Sequence, residues 1–238
     1  MVAPDADARD AEARPDADGV TDAEARRDAD GVGGVPSATA GALAACHDAS
    51  ARLMATLDGL DDATARRPSR LPDWTVGHVV THLARNADSH VRMLEGAMAG
   101  SVVDQYEGGL QTRAADIAAG AGRPATELIA DLGRAIAGLD NMWRRVPQEV
   151  WTTGHGRMGS GELCPCAEMP FRRWREVEIH RVDLGLGPEP ADWPPAYIEL
   201  ELPRTLAGVP DRLPAADRAT LLAWLVGRAD APPALPPW

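Results

Sequence analysis

Glu176 and His180 stand four residues apart in the stretch FRRWREVEIHRVDLGLG, from Phe171 to Gly187. Four residues carry an α-helix about one turn, so a carboxylate and an imidazole at this spacing project from one face, one above the other. Such a pair is either a two-ligand clip for a divalent metal or an ordinary i,i+4 hydrogen bond. Phe171, Trp174, Val177, Ile179, Val182 and Leu184 spread apolar groups nearly all round the same helix, the pattern of a buried element. Buried ionisable groups need partners, and a metal is one way to supply them.

The elements that must position this pair are helical. From Ser37, a candidate N-cap, Leu43, Cys46, Leu53, Leu57 and Leu60 recur at helical spacing. His47 lies one step off that line and reads as solvated. A second helix follows the loop PSRLPDW, with Asp73 expected as its N-cap and a core stripe of Val76, Val80, Leu83, Ala87, Val91 and Leu94. Thr75, His78, His82, Asn86 and Ser89 form a polar row along the stripe's edge, which is either wet surface or the wall of a polar site within a bundle. A shorter helical piece is expected over residues 112–119. After Pro124, Leu128, Leu132, Ile136, Leu139 and Trp143 make the clearest amphipathic pattern in the chain. The Gly-rich stretch 151–169 reads as a connection holding a short hairpin, with His155 as a loop histidine. The helix of Glu176 and His180 is the fourth long one. A Pro-rich tail follows, with one helix expected near residues 214–228, too poor in apolar groups to fold alone.

Composition narrows the chemistry. Residues 1–36 repeat DADGV and contain no Leu, Ile, Phe, Trp or Tyr, so they have nothing to bury and are expected to be disordered. The net charge of -12 disfavours nucleic acid and anionic membranes, although much of it sits in that acidic extension. No apolar run is long enough to span a bilayer and no hydrophobic signal segment opens the chain, so a cytoplasmic protein acting on a small molecule is expected. The three cysteines do not make a disulfide framework. Cys164 and Cys166, in CPC, are read as loop thiols in a reducing compartment.

WTVGHVVTHLARNAD and WREVEIHRVDLG, in this order and followed by LLAWLVGRAD, resemble the motifs of the mycothiol-dependent maleylpyruvate isomerases, a branch of the DinB-like helical bundles. The resemblance spans roughly residues 39–238. It implies a mainly α fold: a DinB-like four-helix bundle over 37–187, a small C-terminal appendage over 188–238, and the disordered extension 1–36. It also implies a divalent metal, zinc being the natural candidate, on His82, Glu176 and His180, and an active-site arginine at Arg228 that clamps a carboxylate or the thiol. Two imidazoles and one carboxylate leave a coordination position open, as a catalytic site requires. Glu178 falls about 200° round the helix from Glu176 and is not a ligand. Asn86, on the face of His82, is a candidate for orienting a ligand or binding the thiol, and Asp183 for accepting a hydrogen bond from a ligand.

The implied chemistry is cis-trans isomerisation of maleylpyruvate, in which the sulfur of mycothiol adds to the activated double bond, the single bond rotates, and the thiolate is expelled. Two other functions fit the same residues. One is a mycothiol S-transferase that leaves the thiol attached to an electrophile; the other is a non-catalytic metal-binding module for a ligand or protein. Relative to isomerases with a full α/β C-terminal domain, the segment after His180 is short and the acidic extension is additional.

Overall fold

The computed structural model describes residues 34–235, so all but the last three residues of the extension 1–36 lie outside the described part. Four long helices form the core: α1 (Ser37–Thr56), α3 (Val76–Met98), α5 (Ala125–Arg145) and α7 (Met169–Asp183). The fold is therefore mainly α. A short α2 (Asp62–Ala65) precedes α3, with Asp61 accepting from the Thr64 amide as its cap. The packing order round the bundle is α1, α7, α3, α5 and back to α1, so α3 lies between α5 and α7.

Periodicity fixed which faces turn inward. Leu128, Leu132, Leu139 and Trp143 of α5, Leu53 and Leu57 of the first helical segment, and Val76, Val80, Leu83, Ala87 and Leu94 of α3 are all buried. On α3 the polar row lies against protein: His82, Asn86 and Ser89 are buried, as are the leucines beside them. His47 is exposed beside Asp140, and His155 is half-buried with Nδ1 on the Thr153 carbonyl.

The start of α3 departs from expectation. Asp73 is not the cap: its φ of 62° places it in the left-handed region within the turn. Thr75 caps instead, its hydroxyl accepting from the His78 amide while His78 Nδ1 accepts from the Thr75 amide at 3.2 Å. The side chain of His78 is thereby held at the helix end.

α4 (Gly109–Ala121) is longer than expected and packs across α3. The crossing is tight at Gly77, where an added Cβ would meet the Ala121 carbonyl oxygen at 2.2 Å. Backbone cannot step aside as a side chain can. Gly77→Ala is expected to lower stability by about 1–3 kcal/mol, read as a lower denaturation midpoint at unchanged slope; an unchanged midpoint would show that the two helices separate at this crossing without cost.

The connection 151–169 contains the end of α6 (Gln148–Thr153), then a hairpin of β1 (His155–Arg157) and β2 (Leu163–Pro165), in register Gly156 to Cys164, and a 3-10 turn over Cys166–Glu168. This corrects the reading of Cys164 and Cys166 as loop thiols. The hairpin lies so close to α3 and α7 that a Cβ on Gly156 would meet Met93 and Met169, and both sulfurs are buried beneath it.

The tail holds two helices rather than one: α8 (Pro195–Arg212) and α9 (Ala215–Leu225). Pro203 and Pro210 lie inside α8, and prolines in a helix interior argue against it from sequence. Tyr197 anchors α8 by packing its ring at an angle against Trp174 and edge-on against Trp193, whereas α9 buries none of its residues. Among the described residues no helix is long and apolar enough to cross a membrane.

Candidate metal centre

His82 from the middle of α3 and Glu176 and His180 from α7 meet in the bundle. One donor atom from each lies within 4.8 Å of the others. His82 Nε2 is 3.0 Å from Glu176 Oε2 and 3.1 Å from His180 Nε2, and His180 Nε2 is 3.6 Å from Glu176 Oε2. Bonds of about 2.0–2.1 Å to a tetrahedral ion put donors roughly 3.3 Å apart, so this donor set fits one divalent cation.

The framework behind the donors is built from local chemistry. His180 Nδ1 lies 2.8 Å from Asp183 Oδ2, one turn further on, which turns its Nε2 towards the cluster. One turn before Glu176, the buried Arg173 donates from Nη1 to the Leu83 carbonyl and to Asn86 Oδ1, both at 2.8 Å, and so ties α7 to α3 beside His82. The edge of Trp74 packs on the His82 ring, with centroids 5.7 Å apart. His82 is 3% exposed, His180 17% and Glu176 34% by side chain, so the cluster is closed behind His82 and open at Glu176.

The electrostatics follow from burial and these contacts. Burial drives the His82 pKa down to about 4, outweighing the Glu176 carboxylate that favours its charged form. Burial also disfavours charge on His180, but its bonds to Asp183 and Glu176 prevail and raise it to about 9. Burial would raise Glu176, yet the hydrogen bonds from His180 and His82 hold it well below the usual carboxylate range.

Two of the other expected site residues stand differently. Asn86 is one turn from His82, and its amide oxygen is occupied inside the bundle by Arg173. Arg228 lies in the tail beyond α9, exposed, donating to the carbonyls of Val226 and Gly227. The structure does not bring it to the cluster. The guanidinium that does reach it is Arg113, with Nη2 3.0 Å from His82 Nδ1. Sequence reasoning missed Arg113; its only signal is that it is the single cation of α4. Glu178 points away from the His82–Glu176–His180 cluster, as its helical position requires, but into the protein rather than towards water.

The chain is a helical bundle that gathers two imidazoles and one carboxylate, a donor set that could hold a metal ion. Residues 43–185, more than half of the sequence, match the mycothiol maleylpyruvate isomerase N-terminal domain, and the chain belongs to that family. Among solved structures it is similar to a mycothiol-dependent maleylpyruvate isomerase, at 26% identity and a TM-score of 0.64, over 68% of this chain and 66% of that one. A histidine-to-alanine variant of such an isomerase matches at 25% identity with the same score and coverage. The chain thus spans slightly less than two thirds of the length of these relatives. No curated protein matches it.

Proposed function

We propose that this protein is a metal- and mycothiol-dependent enzyme, and that it catalyses cis-trans isomerisation of maleylpyruvate or a closely similar activated cis-alkene. His82, Glu176 and His180 would hold the metal. When bound, a divalent ion such as zinc would supply the positive charge that keeps a thiol ionised and polarises an oxygen of the substrate. The observation that carries the reading is the donor set itself: three ligand atoms at coordination spacing, Asp183 on the far nitrogen of His180, and one side left open at Glu176.

What the chain's own residues do is position and exclude. Asp183 fixes the His180 ring, Arg173 fixes α7 against α3, and Trp74 covers His82. The protein's own thiols are unsuited to the work. Burial pushes Cys46 up to about 12 and Cys164 and Cys166 up to about 11, so all three are protonated at neutral pH as well as inaccessible. The nucleophile must therefore come from outside, which supports a low-molecular-weight thiol cofactor. Residues 37–187 carry the site, and the described part of the tail, 188–235, is laid against it through Trp193 and Tyr197.

The test is product analysis with zinc-loaded protein, maleylpyruvate and mycothiol. The trans isomer with thiol regenerated is expected. A stable conjugate with thiol consumed would move the assignment to S-transfer, and no metal-dependent turnover of either kind would leave a binding module.

A further inference from the structure

Arg113 joins two parts of the molecule that otherwise share no residue. Its Nη2 donates to His82 Nδ1, and its guanidinium lies over the Tyr106 ring, 5.5 Å from the centroid. The same side chain lines a cleft of about 530 Å³ between α3 and the segment 105–116, whose walls include none of the three ligand residues. Three arginines face this cleft, and they differ in one respect. Arg85 is paired with Asp88 and Asp131, and Arg92 with Glu107. Arg113 has no carboxylate within ion-pair distance among the described residues, and its hydrogen bond falls instead on a neutral ring nitrogen. Glu95 and Asp116, which also line the cleft, are exposed.

A guanidinium offers a planar fork of donors and no acceptor. Its best partner is a carboxylate, bound through two parallel hydrogen bonds. An imidazole that coordinates a metal through Nε2 ordinarily carries its hydrogen on Nδ1 and needs an acceptor there. The Arg113 contact to Nδ1 and a metal on Nε2 therefore compete, because each would leave two donors face to face. An anion arriving from the cleft resolves the conflict by drawing Arg113 off the ring.

We propose that Arg113 is the carboxylate-binding residue of this site, and that an anion on Arg113 and a metal on His82 favour one another. This rests on the reading of His82, Glu176 and His180 as metal ligands. It makes the cleft at Tyr106 an anion-binding site behind His82, across the ring from the opening at Glu176, and gives a carboxylate partner to Arg113 of α4 rather than to Arg228 in the tail.

The probe is maleate, a cis-dicarboxylate, titrated calorimetrically into the full chain with and without zinc and in the absence of thiol. Coupling of this kind is reciprocal, so the wild type is expected to bind maleate roughly tenfold more tightly with zinc. Arg113→Met is expected to bind it about tenfold or more weakly, since a charge-assisted hydrogen bond is lost, and with no dependence on zinc. Arg113→Lys, which keeps the charge without the fork, should fall between, provided both variants keep the wild-type circular dichroism. Wild-type maleate affinity in either well-folded Met or Lys variant would overturn the proposal, as would zinc dependence that survives in Arg113→Met, because the carboxylate would then be meeting the metal directly. If the wild type took up no zinc, the metal reading would fall by itself, and loss of maleate binding in metal-free Arg113→Met would still decide the role of Arg113.

Discussion

Purified with zinc, the wild type is expected to carry close to one equivalent of metal, and a His82→Ala, His180→Ala double variant close to none. The two substitutions remove two of three donors and leave Glu176, whose single carboxylate at the open side of the bundle cannot retain a borderline ion by itself. Asp183→Asn is the graded companion. It keeps all three donors but weakens the acceptor that orients His180, and metal affinity should fall about 10–100-fold. The pH dependence has a definite sign. In the metal-free protein His180 is raised to about 9, so at pH 7 it holds a proton that coordination must displace. Metal uptake should then acidify a weakly buffered solution, and apparent affinity should climb with pH until about 9 and level off there. Equal metal in the wild type and the double variant would remove the centre, and with it the isomerase reading. Metal affinity indifferent to pH between 6 and 9 would mean that His180 is already unprotonated before coordination.

The parts of this structure legible in the sequence are those written in short-range periodicity. Leu128, Leu132, Ile136 and Leu139 of α5 step at four, four and three, and the structure buries the three leucines accordingly. Glu176 and His180 share a face because the α-helix fixes that spacing, and no tertiary information is needed to see it. What the sequence hides is set by packing between distant segments. His82 and Glu176 are 94 residues apart, and their meeting depends on which pair of helices lies adjacent; only the resemblance of the two motifs to a known family anticipated it. Arg113 reaches His82 because α4 crosses α3 at Gly77, a close approach that neither segment announces. The prolines of α8 argued against a helix that forms nonetheless, held at its start by Tyr197 against two tryptophans. Charged residues were the hardest to place. Arg173, Glu178 and Arg181 look like the solvated face of an ordinary helix, yet all three are buried.

Glu178→Ala is for this reason expected to be among the most damaging single substitutions in the chain, costing about 3–5 kcal/mol. The carboxylate is fully buried and accepts from Arg52 and from Trp174 Nε1, and Arg181 Nη2 stands 3.7 Å from its other oxygen. Removing it leaves charges of unequal freedom. Arg52 is 38% exposed and can turn to water, but Arg181 is 8% exposed, held between α7 and the Asp192 carbonyl, and would remain as a buried cation without an anion. Glu178→Gln keeps an acceptor for Arg52 and Trp174 and loses only the charge, so a smaller loss of about 1.5–3 kcal/mol is expected. Denaturant titration of the metal-free proteins would measure both, and a cost below about 1 kcal/mol for the alanine variant would show that Arg181 finds another partner. Metal content separates this structural carboxylate from Glu176, the proposed ligand two residues before it. Folded Glu178→Gln should keep its zinc, whereas Glu176→Gln should lose most of it, because Glu178 faces the packed interior and Glu176 the open side of the cluster.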